Sequence, residues 1–205
     1  MTAIPAADRI DCLLLDLDGV IRHFDPAAAR AAEALHGLEP GVIPRAAFAP
    51  EILDRVVTGR MNRREWTEHV GSLVGSQSAA EDWLADRGHI DHEVIATVRE
   101  VRGGGVTVAI LTNGTDTIDE ELRDHGVAHE FDHVFNTHFI GVAKPRPGAY
   151  HHVVDHLGTS PGRILFFDDK TENVTGASAV GLRARLFEGA ESMRAHLCRL
   201  GLVTG

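Results

Sequence analysis

The sequence predicts an α/β fold: a parallel sheet covered by helices on both faces, with a block of helices inserted after the first strand. The run Cys12-Leu-Leu-Leu15 is short and continuously apolar, as expected of a strand buried on both sides. From residue 89 onward, apolar runs alternate with helical patterns, which gives parallel strands joined by right-handed crossovers. Residues 22–88 hold helical patterns and no convincing strand. The expected division is therefore a core of 1–21 and 89–205 and a helical insertion of 22–88.

In the insertion, Asp25-Pro26 opens an Ala-rich helix that runs to about His36, with Asp as N-cap and Pro in the first helical position. Residues 39–50, with Pro40, Gly41, Pro44 and Pro50, read as a loop leading to a helix near 51–58. Asn62 with Glu65, and Ser78 with Glu81, match capping boxes and start two more helices. Asp91 caps a helix whose stripe is Val94, Ile95, Val98 and Val101. Gly103-Gly104-Gly105 ends that helix; a phosphate loop would follow a strand, and these glycines precede one. Strands are then expected at Val106–Leu111, His133–His138, Ile164–Phe167 and Arg183–Phe187. The helices between and after them fall at about Asp116–His125, Ala149–Leu157, Val174–Val180 and Ala190–Leu200.

The chain of 205 residues is 43% hydrophobic, enough for a sizeable core. Its formal net charge of −10 argues against non-specific nucleic-acid or acidic-membrane binding. No apolar stretch approaches a membrane span, and the first residues lack a signal-peptide pattern, so a cytoplasmic protein is expected. Cys12 and Cys198 have no metal-ligand spacing and read as reduced thiols.

Polar groups recur where strands end: Asp16 and Asp18, Thr112 and Asn113, Lys144, then Asp168 and Asp169. Ligands of open α/β sheets bind at the carboxyl ends of the strands. Each group has an ordinary use as a cap, turn or surface charge. Together they bring several carboxylates toward one ammonium, which is unstable without a hard divalent cation, and all-oxygen ligation favours Mg²⁺ over Zn²⁺. Lys144 is one of only two lysines, the other being Lys170.

Asp16-Leu-Asp18-Gly-Val20, Leu111-Thr112-Asn113-Gly114, Lys144-Pro145 and Phe167-Asp168-Asp169 resemble, in order, the four motifs of the haloacid dehalogenase (HAD) superfamily. The resemblance covers the whole chain, and residues 22–88 resemble that superfamily's small helical cap. It implies a Rossmann-like sheet of strand order 5-4-1-2-3 and a hydrolase acting on a small phosphorylated metabolite, such as a sugar phosphate, with Mg²⁺. Asp16 is then the nucleophile that forms an aspartyl-phosphate. Asp18 is the general acid and base. Thr112, the Asn113 backbone and Lys144 hold the phosphoryl group. Asp16, the Asp18 carbonyl, Asp169 and, through water, Asp168 surround the metal, with Asn173 behind them. The superfamily's dehalogenases lack the second Asp, so Asp18 favours phosphate chemistry. A phosphomutase on the same core is the nearest alternative, and a receiver-like phospho-Asp signalling module a more distant one.

Arg22, His23, Arg60, Arg63 and Arg64 are placed to reach a substrate, although charged side chains are mostly solvated. Trp66 and Trp83 read as packing within the cap rather than sugar platforms. The histidines at 125, 129, 133, 152 and 156 lack Cys or carboxylate partners in register and do not read as a zinc site.

Overall fold

The structure, a computed structural model, describes residues 9–204. Strand β1 (Cys12–Leu15) leads to a two-residue strand β2 (Arg22–His23). Five helices follow: α1 (Pro26–Leu35), α2 (Val42–Ala47), α3 (Pro50–Val57), α4 (Arg63–Val74) and α5 (Gln77–Ala85). Strand β3 (His89–Ile90) pairs antiparallel with β2, so a short ribbon closes the neck of the helical segment. The chain then runs through α6 (His92–Gly103), β4 (Thr107–Thr112), α7 (Ile118–Asp124), β5 (His133–Asn136), α8 (Thr137–Ile140) and α9 (Pro147–Leu157). It finishes with β6 (Ile164–Asp168), α10 (Thr171–Ala179), β7 (Arg183–Leu186) and α11 (Ala190–Arg199).

The main sheet is fully parallel and runs β5-β4-β1-β6-β7. Numbered over its own five strands and read from the β7 edge, this is 5-4-1-2-3, the order the resemblance implies. The labels differ only because the β2–β3 ribbon stands outside the sheet. Side chains alternate between the faces as strand geometry requires. Leu13, Leu15, Ile110 and Phe167 pack with Val98 of α6, while Cys12, Leu14, Leu111 and Phe166 pack with Tyr150 of α9. Helices thus bury both faces, and the apolar strand runs follow from that. The helical segment has a third cluster of its own, centred on Ile43, Trp66, Val70 and Leu84.

Most caps act as the sequence indicates: Asp25 accepts from the Ala27 N–H, Asn62 and Glu65 form the reciprocal box, and Asp91 accepts from Glu93 and Val94. Several expectations need correction. The stretch 39–50 is not one loop, because it contains α2. The buried Glu33 carboxylate accepts from the N–H groups of Gly41 and Ile43 at 2.7 and 2.9 Å, starting that helix from a distance no local pattern reports. Ser76, rather than Ser78, caps α5 by accepting from Ala79. The third sheet strand stops at Asn136, whose side chain caps α8. The strands β2 and β3 are too short for a two-residue period to show.

Candidate active site

Register explains why the polar residues meet. Leu15 of β1 pairs with Phe167 of β6 and Ile110 of β4. The residues after these positions, Asp16, Asp168 and then Thr112, therefore emerge at one edge of the sheet. Asp16, Thr112, Lys144 and Asp168 are all buried there, whereas Asp169 is exposed.

Lys144 is the hub. Its Nζ lies 2.8 Å from Asp16 Oδ1 and donates to Asp168 Oδ2 at 2.7 Å, with Phe166 beneath it at 5.5 Å. Burial opposes the ammonium charge, but the two carboxylates outweigh it and hold Lys144 above its usual range. Burial also pushes the Asp16 carboxyl up to about 7; Lys144 pulls the other way, and the Asp168 charge adds to the rise. Asp168 further accepts from the Lys170 N–H and from Asn173 Nδ2, both at 2.9 Å, so Asn173 does hold it in place. Asp169 is held above the usual carboxylate range by partial burial and by Asp168.

Among the described residues, one group of carboxylates gathers as metal ligands would: oxygens of Asp16, Asp168 and Asp169 lie within 4.8 Å of one another. The set fits a hard divalent ion. Every donor is a carboxylate oxygen, and three carboxylates face a single ammonium, an excess a divalent cation cancels. Gly19 supplies a second sign of fit. Its φ is +97°, and a Cβ there would collide with the Asp169 carboxylate, so that acid lies directly against the backbone that follows Asp18. The Asp18 carboxylate is not part of this group.

Asp18 turns instead to Arg22, whose Nε and NH2 donate to its two oxygens at 2.6 and 3.1 Å. Arg22 is 3% exposed and its NH1 donates to Glu121 Oε2 at 2.6 Å. Glu121 of α7 also pairs with Arg63 at the start of α4 at 3.0 Å and with Arg87 at 2.5 Å, and accepts from the Thr117 hydroxyl. Arg22 and Arg63 are therefore built into the protein. Arg60 pairs with Asp54 and Arg64 with Glu68, while His23 lies 3.6 Å from Asp91. The sequence missed Glu121 altogether, since nothing local separates it from Glu120. The amide of Asn113 also does more than expected: it bonds both backbone groups of Lys144, at 2.9 and 3.0 Å, fixing the lysine loop to the end of β4.

The profile of the haloacid dehalogenase-like hydrolases matches residues 10–181, across all four polar segments. The chain belongs to the haloacid dehalogenase-like hydrolase family. Among curated relatives of this HAD chain, the sesquiterpene phosphatase astK of Aspergillus oryzae is 37% identical over 93 residues, 45% of this chain and 47% of that protein. Phosphatase MT3486 of Mycobacterium tuberculosis is 35% identical over 133 residues, 63% of this chain and 60% of that protein. The chain thus spans about half to three fifths of the length of these relatives. In fold it is similar to a HAD family enzyme of Bacteroides thetaiotaomicron in complex with magnesium and inorganic phosphate. That likeness has a TM-score of 0.73 at 19% identity, over 86% of this chain and 93% of the other. Haloacid dehalogenases are similar as well. No helix among the described residues is long and apolar enough to cross a membrane.

Proposed function

We propose that the protein is a Mg²⁺-dependent phosphatase that hydrolyses a small phosphomonoester through an aspartyl-phosphate on Asp16, in the cytoplasm. The single observation behind this reading is Lys144 bonded to both Asp16 and Asp168, with Asp169 completing a carboxylate group of metal-binding size. Phosphoryl transfer asks a protein mainly for alignment and cancellation of negative charge, and this edge of the sheet supplies both.

Asp16, Asp168, Asp169 and the Asp18 carbonyl would hold the ion. Magnesium supplies Lewis-acid shielding of the phosphate charge. Among the described residues, both hydrogen-bonding contacts to the Asp16 carboxylate fall on Oδ1, from Leu17 N–H and Lys144, which leaves Oδ2 for attack on phosphorus. The bond from phosphorus to the leaving oxygen breaks as Asp18 gives that oxygen a proton. Thr112 and the Asn113 N–H steady the phosphoryl oxygens. Asp18 then takes a proton from the water that attacks phosphorus, which releases inorganic phosphate and restores Asp16. Residues 22–88 act as the cap and 1–21 with 89–205 as the catalytic core, a division supported by the separate apolar cluster of α2–α5.

The similarity to haloacid dehalogenases favours one second reading, halide displacement by Asp16. The second acid, Asp18, counts against it, because a departing halide needs no proton. Phosphate release from a panel of phosphorylated metabolites, with and without EDTA, and with Asp16→Asn as control, tests the proposal. Halide release from haloalkanoic acids without any phosphate release would overturn it.

A further inference from the structure

A cavity of about 620 Å³ opens between the helical segment and the sheet edge, a volume typical of small-molecule sites. Asp18 and Asn113 lie on its wall, so it begins where the proposed phosphoryl site ends. Phe24, Phe48, Leu53, Val57, Trp66 and Trp83 form much of the rest. Phe48, Trp66 and Trp83 make a mutual aromatic cluster with ring centroids 5.6 to 6.2 Å apart. Phe24 and Phe48 remain 44% and 51% exposed, large apolar rings left uncovered on a wall that faces a cavity.

Most polar groups on the inner part of this wall are already engaged within the protein. Both Glu33 oxygens accept from the start of α2, and Trp66 Nε1 donates to the Ala47 carbonyl at 3.1 Å. Arg22 serves Asp18 and Glu121, Arg63 serves Glu121 and the Leu84 carbonyl, and Asn113 serves Lys144. At the rim, Asp25 and Asp86 each accept through one oxygen from a backbone N–H, of Ala27 and Gly88. Among the described residues the exceptions are Arg30, which is exposed to solvent, and the indole N–H of Trp83. A sugar placed here would leave hydroxyls without partners, each at a penalty of roughly ten- to a hundredfold in binding. A hydrocarbon lying along Phe24, Phe48, Leu53, Val57 and the faces of Trp66 and Trp83 would meet complementary surface.

We infer that the leaving group is an apolar alcohol: the substrate is the phosphate monoester of an alkyl or alkenyl alcohol rather than of a sugar or polyol. The inference rests on the phosphatase reading and specifies its leaving group. The phosphoryl group passes to Asp16 and then to one water, and the products are the free alcohol, protonated by Asp18, and inorganic phosphate.

The test is phosphate release from a straight-chain series, butyl to dodecyl phosphate below micelle concentrations, beside glucose phosphate and glycerol phosphate, all with Mg²⁺. The expected kcat/KM rises about three- to fourfold per methylene until the cavity fills, and decyl phosphate exceeds the polyol esters by ~100-fold or more. Phe24→Ser and Phe48→Ser, at exposed positions that do not carry the core, should flatten that rise. Binding of decyl phosphate to Asp16→Asn should shift the fluorescence of Trp66 and Trp83. A flat series with turnover of glucose phosphate overturns this inference and leaves the phosphatase reading standing. No release from any ester overturns both.

Discussion

Arg22 grips both oxygens of Asp18, at 2.6 and 3.1 Å, from a position four residues on and almost wholly buried. A carboxylate that is 42% exposed on its side chain is thereby fixed in direction at the mouth of the cavity. If Asp18 delivers a proton to the leaving oxygen, Arg22 is its positioning residue. Arg22→Ala should lower kcat by about 100-fold for alkyl esters, at the low end of what a positioned general acid contributes. The loss should shrink for a para-nitrophenyl ester, whose leaving oxygen needs no proton. An equal loss on both esters would mean that Arg22 acts on something other than proton delivery. Arg22→Lys should restore little, because one ammonium does not reproduce two parallel bonds.

Glu121 is the counter-ion of three arginines, Arg22, Arg63 and Arg87, and its side chain is 3% exposed. Burial pushes its carboxyl up, but the Thr117 hydroxyl and the Arg22 guanidinium more than offset this, and it stays below its usual 4.5. A carboxyl held below its unfolded value adds stability above that value and loses it as pH falls through the folded one. Glu121→Gln should therefore cost about 3 kcal/mol at neutral pH. The deficit should narrow as acid is added below pH 4.5, which denaturant midpoints across pH 3 to 7 would measure. A constant deficit over that range would show that the loss is one of packing.

The central strands β1, β4 and β6 were legible because each is a short apolar run, and the candidate site because these three runs lead into Asp16, Thr112 and Asp168 at matching register positions. What remained hidden depends on contacts across long stretches of chain. Glu33 caps a helix eight residues away, and Glu121 meets Arg22 from 99 residues away, with neither pairing marked by a local spacing. Arg22 itself was misjudged for a related reason: an arginine is normally solvated, and only its three partner bonds make burial tolerable. The tryptophans do pack as expected, and the same packing makes them the wall of a cavity.

Lys144 carries a prediction that separates charge from bulk. Lys144→Met keeps the length of the side chain but leaves Asp16 and Asp168 facing each other without a cation in a buried site. The expected cost is about 3–5 kcal/mol, with activity abolished. Millimolar Mg²⁺ should recover more thermal stability in the variant than in the parent, since it then supplies the missing charge. Equal stabilisation of the two by Mg²⁺ would argue against the carboxylate group as the metal site.

Gly19 ties backbone geometry to the metal. Its φ of +97° disfavours any side chain, and the Cβ of Gly19→Ala would strike the Asp169 carboxylate. The strain alone should cost about 1–3 kcal/mol, and displacement of Asp169 should weaken Mg²⁺ binding by more than tenfold. Calorimetric titration of the folded variant with Mg²⁺ separates the two effects. Asp169→Asn provides the comparison, because it removes the ligand charge without touching Gly19. If Gly19→Ala loses stability yet binds Mg²⁺ as the parent does, then Asp169 is not a ligand, and the ion is held by Asp16, Asp168 and the Asp18 carbonyl without it.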